Sequence, residues 1–314
     1  MKKKAIIISI SSFKLLKNEI KLLKEEKPWG IILFKRNIKS IPKLKMLINK
    51  IRKLTKDSKF PIMIDEEGGA VSRLNKLIAH NLTQKYFGDI YKTQPKISSS
   101  IYKVYINNLC KIFREIGINI NTVPVLDVLR KKTDKIIGSR SFSNKPDIVK
   151  NLGNICVKQY SINKIATVIK HIPGHGCAST DSHLKLPKVK LSLKNLNYND
   201  FKPFKANNSL FAMTAHILYN KLDPYNPATI SKTIISKIIR RKIGFKGILI
   251  SDDISMKALK FDLITNAKKS LSAGCNLVLY CAGNYKETHK LIKELPYIDK
   301  FTVKKTSEFY KFLR

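Results

Sequence analysis

The chain has 314 residues, 43% hydrophobic and 26% charged, and its 61 Lys plus Arg against 22 Asp plus Glu give a formal charge of +39. That composition excludes a disordered or low-complexity polymer, and no apolar run reaches the ~18–20 residues of a membrane-spanning helix. Only nine of the 61 basic residues are Arg, they are scattered along the whole chain, and the Lys surplus accompanies abundant Ile and Asn, which share A/T-rich codons. Compositional drift therefore explains the charge better than a nucleic-acid footprint, which would gather in a stripe or tail and use Arg for phosphate forks. Five cysteines, odd in number and without a C-x-x-C pair, read as free thiols in a reducing compartment.

The first 13 residues have a basic start and a short apolar stretch, but no small-residue cleavage site, and lysines follow at once. They read as a first strand rather than a signal peptide, which places the protein in the cytoplasm. Short β-branched runs then recur at Ala5–Ile10, Trp29–Phe34, Phe60–Asp65, Ile118–Asp127, Ala166–Ile172, Leu210–Ile217, Gly247–Asp252 and Asn276–Cys281. They are apolar on both alternations, as strands covered on two faces should be. Amphipathic stretches lie between them. Pro42–Lys56 carries an apolar stripe of Leu44, Leu47, Ile48, Ile51 and Leu54, and Asp252–Lys269 and Asn284–Lys293 have a similar helical character.

Strands alternating with helices over this length predict an α/β fold of the (β/α)8 barrel type, one domain spanning residues 1–314. A doubly wound sheet is the alternative, but no G-x-G-x-x-G or P-loop follows any strand. In a barrel the functional residues sit at the C-terminal ends of strands. Charged and imidazole side chains do collect there, at Asp65, Asp127, Lys170-His171, His216 and Asp252-Asp253.

The densest segment, Lys170–His183, holds three of the six histidines in a loop that Pro173, Gly174 and Gly176 keep from being helical. Metal binding by His171, His175 and His183 is disfavoured, because those residues spoil the helical presentation and the Glu of the zinc motif is absent. Acid–base chemistry fits better. Asp181 and His183, two residues apart, face the same way on an extended backbone, and a carboxylate beside an imidazole fixes its tautomer and stabilises its protonated form. Asp252 and Asp253, being adjacent, point in opposite directions. One of them faces the barrel mouth as a nucleophile or as the stabiliser of a cationic transition state, and the other serves structure.

On these residues the chain resembles the bacterial β-N-acetylhexosaminidases of glycoside hydrolase family 3, the single-domain type that trims N-acetylglucosamine from peptidoglycan fragments. The loop Lys170–His183, with Ile172 where Phe is more usual, and the stretch Ile238–Ser255 carry the resemblance. Ile31–Phe34, Ile64–Gly69 with Arg73, Pro124–Asp127, Gly138–Phe142, Leu222–Ser231 and Ala273–Asn276 extend it. The resemblance implies Asp252 as nucleophile, His183 as general acid/base with Asp181 as its partner, and Asp65, Arg73, Arg140, Lys170 and His171 as sugar-binding residues. It implies no metal and no organic cofactor, a monomer, a muropeptide or other N-acetylglucosaminide as substrate, and neither nucleic acid nor membrane as partner. His175 and His216 receive no role. Two other readings stay open: a β-glucosidase or phosphorylase on the same fold, and a non-enzymatic basic nucleic-acid-binding protein.

Overall fold

The computed structural model describes residues 2–78, 80–131, 133–182 and 184–314. Eight strands close into a parallel barrel: β1 (Lys4–Ile8), β2 (Pro28–Leu33), β3 (Ile62–Ile64), β4 (Ile120–Asn121), β5 (Ala166–Ile172), β7 (Phe211–Thr214), β9 (Ile248–Asp253) and β10 (Leu277–Tyr280). Two short strands, β6 (Lys188–Val189) and β8 (Leu218–Tyr219), pair with each other outside it. The first strand closes on the last, with Ile6 opposite Val278 and Ile8 opposite Tyr280. The expected barrel is thus present, and every expected strand falls on a barrel strand.

Two apolar clusters follow from the pleat. Alternate strand residues, among them Ala5, Ile7, Ile32, Met63, Val168, Met213, Ile250 and Leu279, fill the barrel interior. The residues between them, such as Ile6, Ile8, Ile31, Ile169, Ala212 and Leu249, pack outward against the helices. Helix α2 (Ile41–Thr55) shows how the outer layer forms. Ser40 caps it by accepting the Lys43 N–H, and Leu44, Leu47, Ile48 and Ile51 are buried.

The C-terminal helix α9 (Lys300–Phe312) seals the floor of the barrel. Trp29, fully buried, donates its indole N–H to Thr306 Oγ1 at 2.9 Å and packs edge-on against Phe211 at 5.6 Å between ring centroids. Phe309 of the same helix closes this aromatic group.

Two boundaries depart from the sequence reading. Strands β3 and β4 are shorter than expected. The Asn119 and Asn121 side chains bond to backbone at Ile62 and Glu66, taking over part of the ladder, and Pro124 contributes no N–H. The expected helix from Asp252 is strand as far as Asp253 and then a series of turns and bends as far as Asp262. Asp253 binds the N–H and hydroxyl of Ser255, a local turn that competes with helix, so the helix starts only at Leu263, where Asp262 caps it.

Trp29→Ala should lower the unfolding free energy by about 3–5 kcal/mol, since it empties the most voluminous buried side chain and orphans the Thr306 contact. Urea unfolding followed by circular dichroism should show a lower midpoint with an unchanged slope.

Candidate active site

The inward phase of each strand, continued one step past its last apolar residue, builds the mouth of the barrel. Ile32 leads to Phe34, Met63 to Asp65, Ile120 to Thr122, Val168 to Lys170, Ile250 to Asp252 and Leu279 to Cys281. Apart from Thr122, whose hydroxyl bonds to its neighbours, these residues line one cavity of about 290 Å³. His171 from the end of β5 and Glu67, Arg73, Ile136, Ile137, Arg140, His175 and Ser182 from the loops add to its walls.

The floor is a closed charge network. Lys170 Nζ lies 2.6 Å from Glu67 Oε1, 3.2 Å from Asp65 Oδ1 and 2.9 Å from Thr122 Oγ1. Arg73 reaches Asp65 Oδ2 at 2.9 Å, and Arg140 grips both Glu67 oxygens, at 2.7 and 3.0 Å. Burial alone would raise the Asp65 and Glu67 carboxyls. The Lys170 and Arg73 charges hold Asp65 well below the usual carboxylate range, and Arg140 with Lys170 does the same for Glu67. Phe34 supports Arg73 from below, with the guanidinium 5.1 Å from its ring centroid.

A second network holds the histidines. Fully buried Asp127 meets His171 Nδ1 at 2.7 Å and accepts the backbone N–H groups of His171 at 3.3 Å and His175 at 2.5 Å. Burial opposes ionisation of Asp127, but its imidazole partners keep the carboxyl low. His175 approaches Ser182 Oγ at 3.3 Å, and burial, aided by the neighbouring His171, depresses its pKa to about 4.

The two adjacent acids both border the cavity but make different bonds. Asp253 ties strand ends together, accepting from Ser255 and from the Cys281 N–H. Asp252 continues the inward phase of Ile248 and Ile250 and accepts the Asp253 N–H at 2.8 Å.

Of the residues singled out from the sequence, Asp65, Arg73, Arg140, Lys170, His171 and Asp252 therefore meet around one cavity. Asp181 lies on a turn in which its carbonyl accepts from Leu184 and Lys185, and its neighbour Ser182 reaches the cavity. His183 lies outside the described residues. Sequence reasoning gave Glu67, Thr122 and Asp127 no role. Glu67 follows Asp65 by two residues and could have been found by extending the strand alternation past its end. Among the described residues no group of three or more His, Cys, Asp or Glu is placed to hold a metal ion.

Two outcomes follow. Glu67→Gln leaves Lys170 and Arg140 short of a counter-charge in a buried site, so stability should fall by about 3 kcal/mol or more in thermal unfolding. Between the ordinary histidine value of 6.5 and about 4, the unfolded chain protonates His175 while the folded chain does not. This residue's contribution is therefore present above pH 6.5 and lost on acidification, at up to about 1.4 kcal/mol per pH unit. His175→Gln should flatten the stability–pH curve across that window by this amount.

The pattern of the glycosyl hydrolase family 3 N-terminal domain matches residues 2–305. The β-hexosaminidase of Actinobacillus succinogenes is 33% identical over 282 residues, covering 88% of this chain and 80% of that protein. The β-hexosaminidase of Neisseria gonorrhoeae is 32% identical over 282 residues, covering 88% and 77%. The crystal structure of NagZ from Neisseria gonorrhoeae in complex with N-trifluoroacetyl-D-glucosamine superposes with a TM-score of 0.89 at 29% identity, covering 100% of this chain and 91% of that one. A family 3 β-N-acetylglucosaminidase from Paenibacillus shares the fold, with a TM-score of 0.89 at 24% identity, but this chain spans only 60% of its length. The barrel, the polar ring at its mouth and a family pattern that runs through nearly every element between them converge on one assignment: this chain is a glycoside hydrolase of family 3.

Proposed function

We propose that the protein is a retaining β-N-acetylhexosaminidase that removes non-reducing terminal N-acetylglucosamine from peptidoglycan fragments such as N-acetylglucosaminyl-1,6-anhydro-N-acetylmuramic acid and its peptides. The observation that carries the reading is the position of Asp252, which lines the same small cavity as the Asp65–Lys170–Glu67–Arg140 network. A cavity of about 290 Å³ is at the small end of ligand sites and suits one sugar ring. The β-hexosaminidase relatives and the N-trifluoroacetyl-D-glucosamine complex of the Neisseria protein support the acetamido sugar.

In this reading Asp65, Arg73, Arg140, Lys170 and His171 hold the sugar. Asp65 accepts from ring hydroxyls, and the cations donate to hydroxyls and to the acetamido carbonyl. Paired charges suit a neutral ligand, because the sugar exchanges hydrogen bonds with groups that already balance one another.

Asp252 attacks the anomeric carbon as the glycosidic C–O bond breaks, and protonated His183 gives its proton to the departing oxygen. A water then attacks the glycosyl–Asp252 ester from the opposite side, neutral His183 takes the water's proton, and the Asp252 carboxylate leaves. Two displacements retain the anomeric configuration. An imidazole with an ordinary pKa near 6.5 populates both required forms at neutral pH, and Asp181 stabilises the charged one. The scheme needs no metal or organic cofactor. We assign the catalytic barrel to the whole of residues 1–314 and expect it to act as a monomer in the cytoplasm.

The test is release of nitrophenol from 4-nitrophenyl β-N-acetylglucosaminide at neutral pH and low phosphate. Wild type should turn over, Asp252→Ala should lose at least about 1,000-fold in kcat, and added phosphate should not accelerate the reaction. Phosphate-dependent turnover would establish a phosphorylase instead, and an active Asp252→Ala protein would remove Asp252 from its role.

A further inference from the structure

His216 follows strand β7 in the outward phase, opposite to Phe211 and Met213, and is fully buried behind the cavity wall. Its Nε2 lies 3.0 Å from the carbonyl oxygen of Asp253, and its Nδ1 lies 2.7 Å from Thr229 Oγ1. A carbonyl only accepts, so Nε2 carries the hydrogen. Burial depresses the pKa of this imidazole, opposed by Asp252 and Asp253 and assisted by His171. In the neutral ring Nδ1 must then accept, and the Thr229 hydroxyl, 2.7 Å away against 3.2 Å to its other acceptor Ala215 O, is its donor. Thr214 Oγ1, 2.8 Å from Thr229 Oγ1, supplies the hydrogen that Thr229 accepts.

Thr229 is itself held in place by a strap. Asp223 accepts the Ser231 hydroxyl at 2.6 Å and the N–H groups of Tyr225 and Asn226 at 3.0 Å each, and Ala228 N–H bonds to Ile217 O at 2.8 Å. This gives the Leu222–Ser231 stretch a physical purpose: it delivers one hydroxyl to one imidazole nitrogen.

The far end of the relay is the backbone of Asp253. Its carbonyl accepts from His216 Nε2 at 3.0 Å and from the Met256 N–H at 3.1 Å, and its N–H donates to Asp252 Oδ1 at 2.8 Å. The carbonyl and the N–H lie on successive peptide planes that meet at the Asp253 Cα, so holding the carbonyl restrains that Cα and, through it, the N–H on Asp252. We propose that His216, held as the Nε2–H tautomer by Thr229, is a positioning residue that fixes the Asp252 carboxylate for attack on the sugar. The inference rests on Asp252 being the nucleophile.

The experiment measures the rate at which a 5-fluoro-β-N-acetylglucosaminyl fluoride labels Asp252, read by peptide mass spectrometry, with thermal melts and KM recorded alongside. In His216→Gln the amide N–H stands near the position of Nε2 and can still meet the Asp253 carbonyl. In His216→Asn the amide stands near Nδ1 and cannot. His216→Gln should label within about threefold of wild type, and His216→Asn about tenfold more slowly or worse, at a similar KM. Thr229→Val should slow labelling while Thr229→Ser does not, a pair that remains informative if a His216 variant fails to fold. Equal slowing in both members of a pair, or no slowing in either, overturns the proposal. Absence of label at Asp252 in the wild type instead removes the nucleophile assignment, and this inference with it.

Discussion

The site depends on strand phase. Each barrel strand alternates between the interior and the helical layer, and closure of eight parallel strands makes those alternations converge at one end. Once the apolar layers fix which residues face inward, the residue two positions beyond the last of them has no choice of direction. Asp65, Lys170 and Asp252 are such residues. A one-residue slip in β9 would turn Asp252 toward the helices. The hydrophobic core is therefore the device that aims the carboxylate, and the energy that enforces the aim comes from burying Ile248 and Ile250.

Placing so much charge at the top of an apolar barrel is tolerable only because the charges are paired. Lys170 bridges two carboxylates, Arg140 closes the bidentate contact with Glu67, and Asp127 gathers the His171 ring and two backbone N–H groups. Burial works against the Asp65, Glu67 and Asp127 carboxylates and the Arg140 guanidinium, and their partners overcome it. His175 and His216 follow the opposite logic. They sit among too few negative neighbours to offset burial and stay neutral, which suits them to hold backbone and hydroxyl groups in place.

Much of this was legible from residue pattern. All eight strands, the closed barrel and the placing of Asp65, Lys170, His171 and Asp252 at one rim follow from short β-branched runs and from the polar residues at their ends, whereas Arg73 and Arg140 are implied only by the family resemblance. That Asp252 and Asp253 make different bonds is in keeping with their adjacency on one strand. Glu67 is set apart from the adjacent Glu66 only by sharing the phase of Asp65, past the end of the strand. Glu66 instead turns to the Arg73 and Leu74 N–H groups and to His80, a choice set by the fold of the following loop. The turns after Asp253 escaped because an amphipathic pattern cannot report a carboxylate that captures its own neighbouring backbone. Pairings between distant segments, such as Asp127 with His171 or His216 with Thr229, leave no trace in spacing.

The closure of β1 on β10 also bears on how the molecule comes into being. Those strands are joined in register, Ile6 to Val278, although nearly the whole chain separates them. Until β10 has been synthesised the sheet is open, with two unpaired parallel edges and an interior lined by Ile7, Trp29 and Met63 that α9 has not yet sealed. Such a topology has high contact order, and its nascent intermediates expose template edges for association with other chains. Closure of the fold therefore waits on the last strand and helix, and the chain's net charge of +39 opposes association with like chains until then.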